Sequence, residues 1–207
     1  MATTTTGRLV LVTGGAGGLG RGITFGLARA GFRIAFTYRP GGTPPDETLE
    51  LVREFDPDAV AIASDASRDA EGARAVRIAS ERGPLDVLVH VVGPIVVGSF
   101  ARMTYQDYRA MVDGNLGSAV SLARAVLPAM RERGFGRLVF FGMNGSDVAM
   151  PAQGQSLYAA AKAGVTSLAR TLAVEEARYG ITVNVVQVGD IRDKAADQAT
   201  AVTLRGK

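Results

Sequence analysis

The chain has 207 residues, 47% of them hydrophobic and 21% charged, with a formal net charge of +3. That make-up fits a soluble globular protein with a substantial core, and basic residues spread without a block argue against a nucleic-acid surface. The absence of cysteine excludes disulfides and thiolate metal sites, and a single histidine argues against a histidine-built metal site.

Residues 1–7, mostly threonine, read as a disordered tail without the basic start and apolar stretch of a secretory signal. Leu9 to Val12 is the first predicted strand, followed by the turn Thr13-Gly14-Gly15-Ala16-Gly17-Gly18-Leu19-Gly20. A helix is predicted over 19–30, with Leu19, Ile23 and Leu27 on one face. A glycine-rich turn from a strand into a helix turns backbone N–H groups and the positive end of the helix dipole toward a phosphate. Gly14 permits the turn, Gly18 the close approach and Gly20 the packing of helix on strand, which makes this a candidate dinucleotide loop with Leu19 inside it.

Phe32 to Tyr38 is the second strand. NAD sites place a carboxylate at its end to hold the ribose 2′-hydroxyl, but here Arg39 follows and no acid precedes Asp46. Arginine pairs with a 2′-phosphate that a carboxylate would repel, so NADP is the expected cofactor, with NAD the open alternative and an ordinary surface arginine the bland one. A helix over 46–55, a strand over 59–63 and a helix over 68–81 follow. The apolar fourth strand runs over 87–92; the stretch to Phe100 is interrupted by His90, Gly93, Pro94 and Gly98, which rules out a membrane span, so the expected location is cytoplasmic.

A long helix is predicted over 105–130, with a bend before Pro128. A fifth strand over 137–141, a helix over 156–179 and a sixth strand over 181–186 complete the pattern. Strand–helix alternation of this kind gives right-handed crossovers and a parallel sheet. The expected fold is a doubly wound, Rossmann-like α/β sheet of about six strands, with helices on both faces. On the last long helix, Tyr158-Ala159-Ala160-Ala161-Lys162 sets a phenol and an ammonium four residues apart, on one face. A cation so placed lowers the tyrosine's pKa and suits it to acid–base work at a carbonyl.

In order and spacing, the Thr-Gly-x-x-x-Gly-x-Gly loop and the Tyr-x-x-x-Lys pair resemble the short-chain dehydrogenase/reductase family, over Arg8 to about Ile191. The resemblance implies one dinucleotide-binding catalytic domain over 8–191, with Tyr158 as general acid/base and Lys162 also holding the nicotinamide ribose. It further implies that Asn115 supports a proton relay through a local helix irregularity, that Asp65 contacts adenine, and that Gly93 lines the cofactor. The turn Val188-Gly189-Asp190-Ile191 is similar to the family's Pro-Gly turn against the nicotinamide, with Gly189 and Ile191 as contacts. A homodimer built on the helices over 105–130 and 156–179 is implied too, the second presenting Val165, Leu168 and Leu172 with small residues Ala161, Ala163, Gly164 and Ala169 between them.

Three departures are visible. His90-Val91-Val92-Gly93 stands where the family commonly has Asn-Asn-Ala-Gly, and His90 reads as a tie between strands. Gly142-Met143 stands where the catalytic serine is expected, leaving Asn144 and Ser146 as the nearby donors, with Ser146 preferred. After Ile191 only a short polar segment, 192–207, remains where the family continues with a substrate-covering helix and a seventh strand. The expected function is hydride transfer between NADP(H) and a small carbonyl or alcohol; the alternative is a catalytically weak dinucleotide-binding or interaction protein of the same fold.

Overall fold

The computed structural model describes residues 7–189; the tail before Gly7 and everything from Asp190 on, including Ile191 and the 192–207 segment, lie outside the described residues. Gly7 itself, expected in the tail, donates its N–H to the Gly31 carbonyl at 3.1 Å. The chain folds as a six-stranded parallel sheet with helices, the Rossmann-like class expected. It divides into two units, one of residues 7–65 and 74–91, the other of 66–73 and 92–189.

In the first unit the strands β1 (Leu9–Thr13), β2 (Arg33–Tyr38), β3 (Val60–Ala63) and β4 (Leu85–His90) run in the order β3-β2-β1-β4. All five residues of β1 are buried, as a central parallel strand covered on both faces requires. Its register puts Val12 beside Phe36 of β2 and Thr13 beside His90 of β4. β4 starts two residues before the expected 87 and ends two before 92. The apolar run hid that shift, which the Asp86 side chain explains: it accepts the Leu9 N–H at 3.2 Å, where the ladder skips a residue. The helices α1 (Gly18–Arg29), α2 (Asp46–Arg53) and α3 (Asp69–Ser80) follow β1, β2 and β3.

The second unit holds α4 (Tyr105–Met111), α5 (Ser118–Arg133), β5 (Gly136–Met143), α6 (Ser156–Glu176) and β6 (Ile181–Val188). Thr104 and Asp107 form a capping box on α4, and the Thr104 bonds hold the Asp107 carboxyl below its ordinary value. The last part of the helix expected over 105–130 is α5, which runs through Pro128 to Arg133, where Gly134 ends it in the left-handed region at φ 65°. The irregularity sits earlier, as a π turn over Val112–Gly117. β5 and β6 pair in parallel over eight residues each, from Gly136 beside Ile181 to Met143 beside Val188.

Candidate active site

Each unit contributes one chemically distinctive region. In the first, β1 ends in the glycine loop and α1 begins at Gly18. Glycine is required here by space: a Cβ on Gly20 would stand 2.0 Å from the Gly14 carbonyl oxygen, and one on Gly15 would stand 2.6 Å from the Thr24 hydroxyl. Gly14 and Gly18 take φ of 70° and 52°, the left-handed region that glycine enters without penalty. The loop is tied to β2, because Thr37 accepts the Gly14 N–H on its hydroxyl at 3.1 Å and the Gly15 N–H on its carbonyl at 2.9 Å. Those two N–H groups are therefore committed within the protein. The N–H groups of Gly18, Leu19 and Gly20 open α1 and by helix geometry have no carbonyl partner inside it. No acidic side chain occupies the helix's first turn, so its positive end is not neutralised there. This cradle, which side chains on Gly15 and Gly20 would collapse, fits a pyrophosphate. Arg39 is exposed just past β2, and Asp65 lies half-buried just past β3.

In the second unit, α6 carries Tyr158 half-buried and Lys162 buried, with 4% of its surface exposed. The Lys162 Nζ lies 5.6 Å from the Tyr158 ring centroid and donates to the Phe141 carbonyl on β5 at 2.8 Å. Burial pulls the ammonium down from 10.5 to about 8. Burial also raises the Tyr158 phenol above its ordinary value. That direction is opposite to the lowering expected of a nearby cation, and its cause is desolvation.

Asn115 sits in the π turn with 1% of its surface exposed. Its Nδ2 donates to the carbonyls of Met111, at 2.9 Å, and Pro94, at 3.0 Å. Its Oδ1 is buried without a hydrogen-bond partner. A Cβ built on Gly93 would lie 2.7 Å from that Oδ1 and 2.7 Å from the Lys162 Nζ. Gly93, Asn115 and Lys162 therefore meet around one small space, which any side chain at Gly93 would fill. An unpaired buried acceptor beside an ammonium is the kind of site that a hydroxylated ligand completes.

Ser146 is buried, and its hydroxyl is engaged on three sides. It accepts the Met143 N–H at 3.2 Å, lies 2.9 Å from the Thr166 hydroxyl and donates to the Gln187 Oε1 at 2.8 Å. These surroundings fix the loop after β5 onto α6 and β6. A side chain at Gly142 would displace the same Gln187 amide, whose oxygen stands 2.3 Å from where a Cβ would be. Gly189 is exposed at the end of β6. His90 binds Thr13, Nδ1 to hydroxyl at 2.7 Å, the tie between strands anticipated for it. Thr37, Thr166, Gln187 and the Phe141 carbonyl were not anticipated. Each acts through tertiary hydrogen bonds that leave no local pattern.

A family model described as short chain dehydrogenase matches residues 8–202. The acetoacetyl-CoA reductase of Cupriavidus necator is 34% identical over 199 residues, 95% of this chain and 78% of that protein. The 3-oxoacyl-[acyl-carrier-protein] reductase MabA of Mycobacterium tuberculosis is 34% identical over 185 residues, 89% of this chain and 69% of that one. A variant of actinorhodin polyketide ketoreductase, solved with NADPH, superposes with a TM-score of 0.83 at 32% identity, covering 93% of this chain and 73% of the other. Glycine loop, helical Tyr-Lys pair, parallel sheet and relatives agree, and the chain belongs to the short-chain dehydrogenase/reductase family of NAD(P)-dependent oxidoreductases.

Proposed function

We propose that the chain reduces a small carbonyl substrate, or oxidises the corresponding alcohol, with NADP(H) as the preferred dinucleotide. The observation that carries this reading is the convergence of the unpaired Asn115 Oδ1 and the Lys162 Nζ on the space at Gly93, one helical turn from Tyr158. NADP(H), when bound, supplies or accepts the hydride.

The N–H groups of Gly18, Leu19 and Gly20 hold the pyrophosphate, with Gly14 setting the turn. Arg39 pairs with the 2′-phosphate and Asp65 binds adenine. Gly93 gives the ribose room to approach, and Lys162 and Tyr158 bind its hydroxyls. Gly189 faces the nicotinamide; Ile191, the other residue expected there, lies outside the described residues. Tyr158 delivers its phenolic proton to the substrate oxygen in reduction and recovers it in oxidation. A phenol raised by burial stays protonated at neutral pH, which favours the reductive direction. The Lys162 ammonium draws the phenolate's charge, and Asn115 Oδ1 accepts a proton donor of the relay that refills Tyr158. Ser146 contributes by fixing the Met143–Ser146 turn; it reaches a substrate oxygen only by releasing Gln187.

The relatives that act on acetoacetyl-CoA and 3-oxoacyl thioesters put those β-keto compounds first on a substrate panel. NADPH oxidation over such a panel, extended to simple ketones, aldehydes and quinones, tests the reading. Turnover should appear for at least one carbonyl and fall about 10²–10⁴-fold in Tyr158→Phe, with the NADPH dissociation constant little changed. Undiminished activity in Tyr158→Phe refutes the mechanism. The engaged Ser146 hydroxyl favours the alternative, a catalytically weak dinucleotide-binding protein of this fold; tight NADPH binding with no turnover on the whole panel establishes it.

A further inference from the structure

The segment that follows β2 is fastened to the glycine loop by contacts the cofactor-binding residues above do not include. Arg21, on the first turns of α1, has 3% of its surface exposed although it carries a full charge. Its Nε donates to the Ala16 carbonyl, at 3.2 Å, and to the Thr48 hydroxyl, at 2.9 Å. Its Nη1 pairs with the Glu47 carboxylate at 2.8 Å. Thr48, fully buried, donates to the same Ala16 carbonyl at 2.9 Å. Ala16 lies in the middle of the glycine loop, while Glu47 and Thr48 lie in the first turn of α2. One buried guanidinium thus binds the loop and the start of α2 together. A charge is kept in such a place only where bonds compensate its desolvation, and here they come from both segments.

Ahead of that fastening, Thr43 rests on the glycine loop. A Cβ built on Gly17 would stand 2.9 Å from the Thr43 hydroxyl oxygen and 3.1 Å from its methyl. Thr43 therefore occupies the room that a side chain at 17 would take. Arg39 folds back along the same edge: the Gly42 N–H donates to its carbonyl at 2.9 Å, and a Cβ on Gly42 would lie 3.9 Å from its Nε. The guanidinium of Arg39 and the hydroxyl of Thr43 so stand on one exposed lip of the loop. A cation and a neutral donor on one short segment suit a phosphate monoester dianion, which offers three acceptor oxygens.

We propose that Thr43 is a second ligand of the 2′-phosphate beside Arg39, and that Arg21 is the positioning residue that holds the lip in place for both. The proposal rests on the NADP reading above, and the two separate in one titration set. Calorimetry compares adenosine 2′,5′-bisphosphate with adenosine 5′-monophosphate, which differ only in the phosphate at issue. The native protein should favour the bisphosphate. Thr43→Val should weaken the bisphosphate about tenfold, the worth of one hydrogen bond to a charged group, and leave the monophosphate unchanged. Thr43→Ser, which keeps the hydroxyl, should restore the native ratio. Arg21→Lys keeps the charge but not the fork, and should lower the bisphosphate-to-monophosphate ratio while the protein stays folded. A native protein that binds both nucleotides alike overturns the NADP reading itself. A native preference that Arg39→Ala abolishes but that survives Thr43→Val unchanged overturns the role of Thr43. An unchanged ratio in folded Arg21→Lys overturns the role of Arg21.

Discussion

The Nζ of Lys162 lies 5.6 Å from the centroid of the Tyr158 ring, one helical turn along α6, yet its hydrogen bond goes to the Phe141 carbonyl. The ammonium is held by the sheet and presented to the tyrosine from a fixed point, and its own charge is the quantity that titrates. Burial sets it at about 8, so it is present below that pH and lost above it. The expected profile of kcat/KM for carbonyl reduction is a descending limb through about pH 8, with activity dropping about tenfold per unit beyond it. Stability moves the other way. Below pH 8 both folded and unfolded chains carry the charge, and its full desolvation penalty is felt. Between about 8 and 10.5 the unfolded chain binds more protons, so stability rises with pH. Lys162→Met should lack that rise in denaturant titrations; a parallel pH course in the two proteins refutes the assignment.

The glycine loop separates two kinds of glycine. Gly20→Ala sets a methyl 2.0 Å from the Gly14 carbonyl, which neither helix nor strand can relieve. It should cost about 3 kcal/mol and remove dinucleotide binding. At Gly18 nothing lies within 4 Å of the added carbon, and only the φ of 52° is unfavourable. Gly18→Ala should cost about 1 kcal/mol and remain folded. Urea unfolding of the two variants checks the contrast, and equal losses contradict it.

His90 is the one histidine of the chain and is 3% exposed, with the Thr13 hydroxyl 2.7 Å from its Nδ1. His90→Ala should lower stability by about 2–3 kcal/mol through the cavity and the orphaned hydroxyl. Its kcat should stay within about threefold of the native value, since no chemical step is assigned to the imidazole. A loss of several orders of magnitude in a folded variant assigns His90 to catalysis.

A homodimer through α4, α5 and α6 is expected, though on a smaller surface than the helical pattern implied. Ala161, Val165 and Ala169 are buried within the chain itself, and Gly164 faces Leu116, to which a Cβ would come within 3.1 Å. The apolar groups left outward include Tyr105, Tyr108 and Val120. Light scattering should give twice the monomer mass at micromolar concentration, and Val120→Arg should halve it without unfolding the protein. A monomer at every concentration removes the interface.

What could be read in advance was what local pattern encodes. The alternation of buried strands with amphipathic helices placed all six strands, because a central strand such as Leu9–Thr13 must be apolar on both faces. The loop glycines and the Tyr158–Lys162 spacing are likewise local. The end of β4 was misjudged because Val91 and Val92 continue its apolar run after pairing has stopped. The engagement of Ser146 is not legible locally for a deeper reason. Two of its partners, Thr166 and Gln187, are 20 and 41 residues away, and no local pattern encodes those bonds. Arg21 is similar: the partners of its buried charge on α2, Glu47 and Thr48, lie 26 and 27 residues later.

The π turn at Val112–Gly117 makes the site depend on a residue count as well as on residue identity. Such a turn holds one residue more than the α-helical repeat admits, and each residue swings the helix face by about 100°. Removing one residue there other than Asn115 would let α4 and α5 fuse into a regular helix with Asn115 still present. Asn115 would no longer be held both to the Pro94 carbonyl and toward Lys162. A one-residue deletion in this stretch is therefore a way for a member of such a lineage to keep its fold and its named site residues while losing its chemistry, and a comparison that scores only matched residues would pass over it.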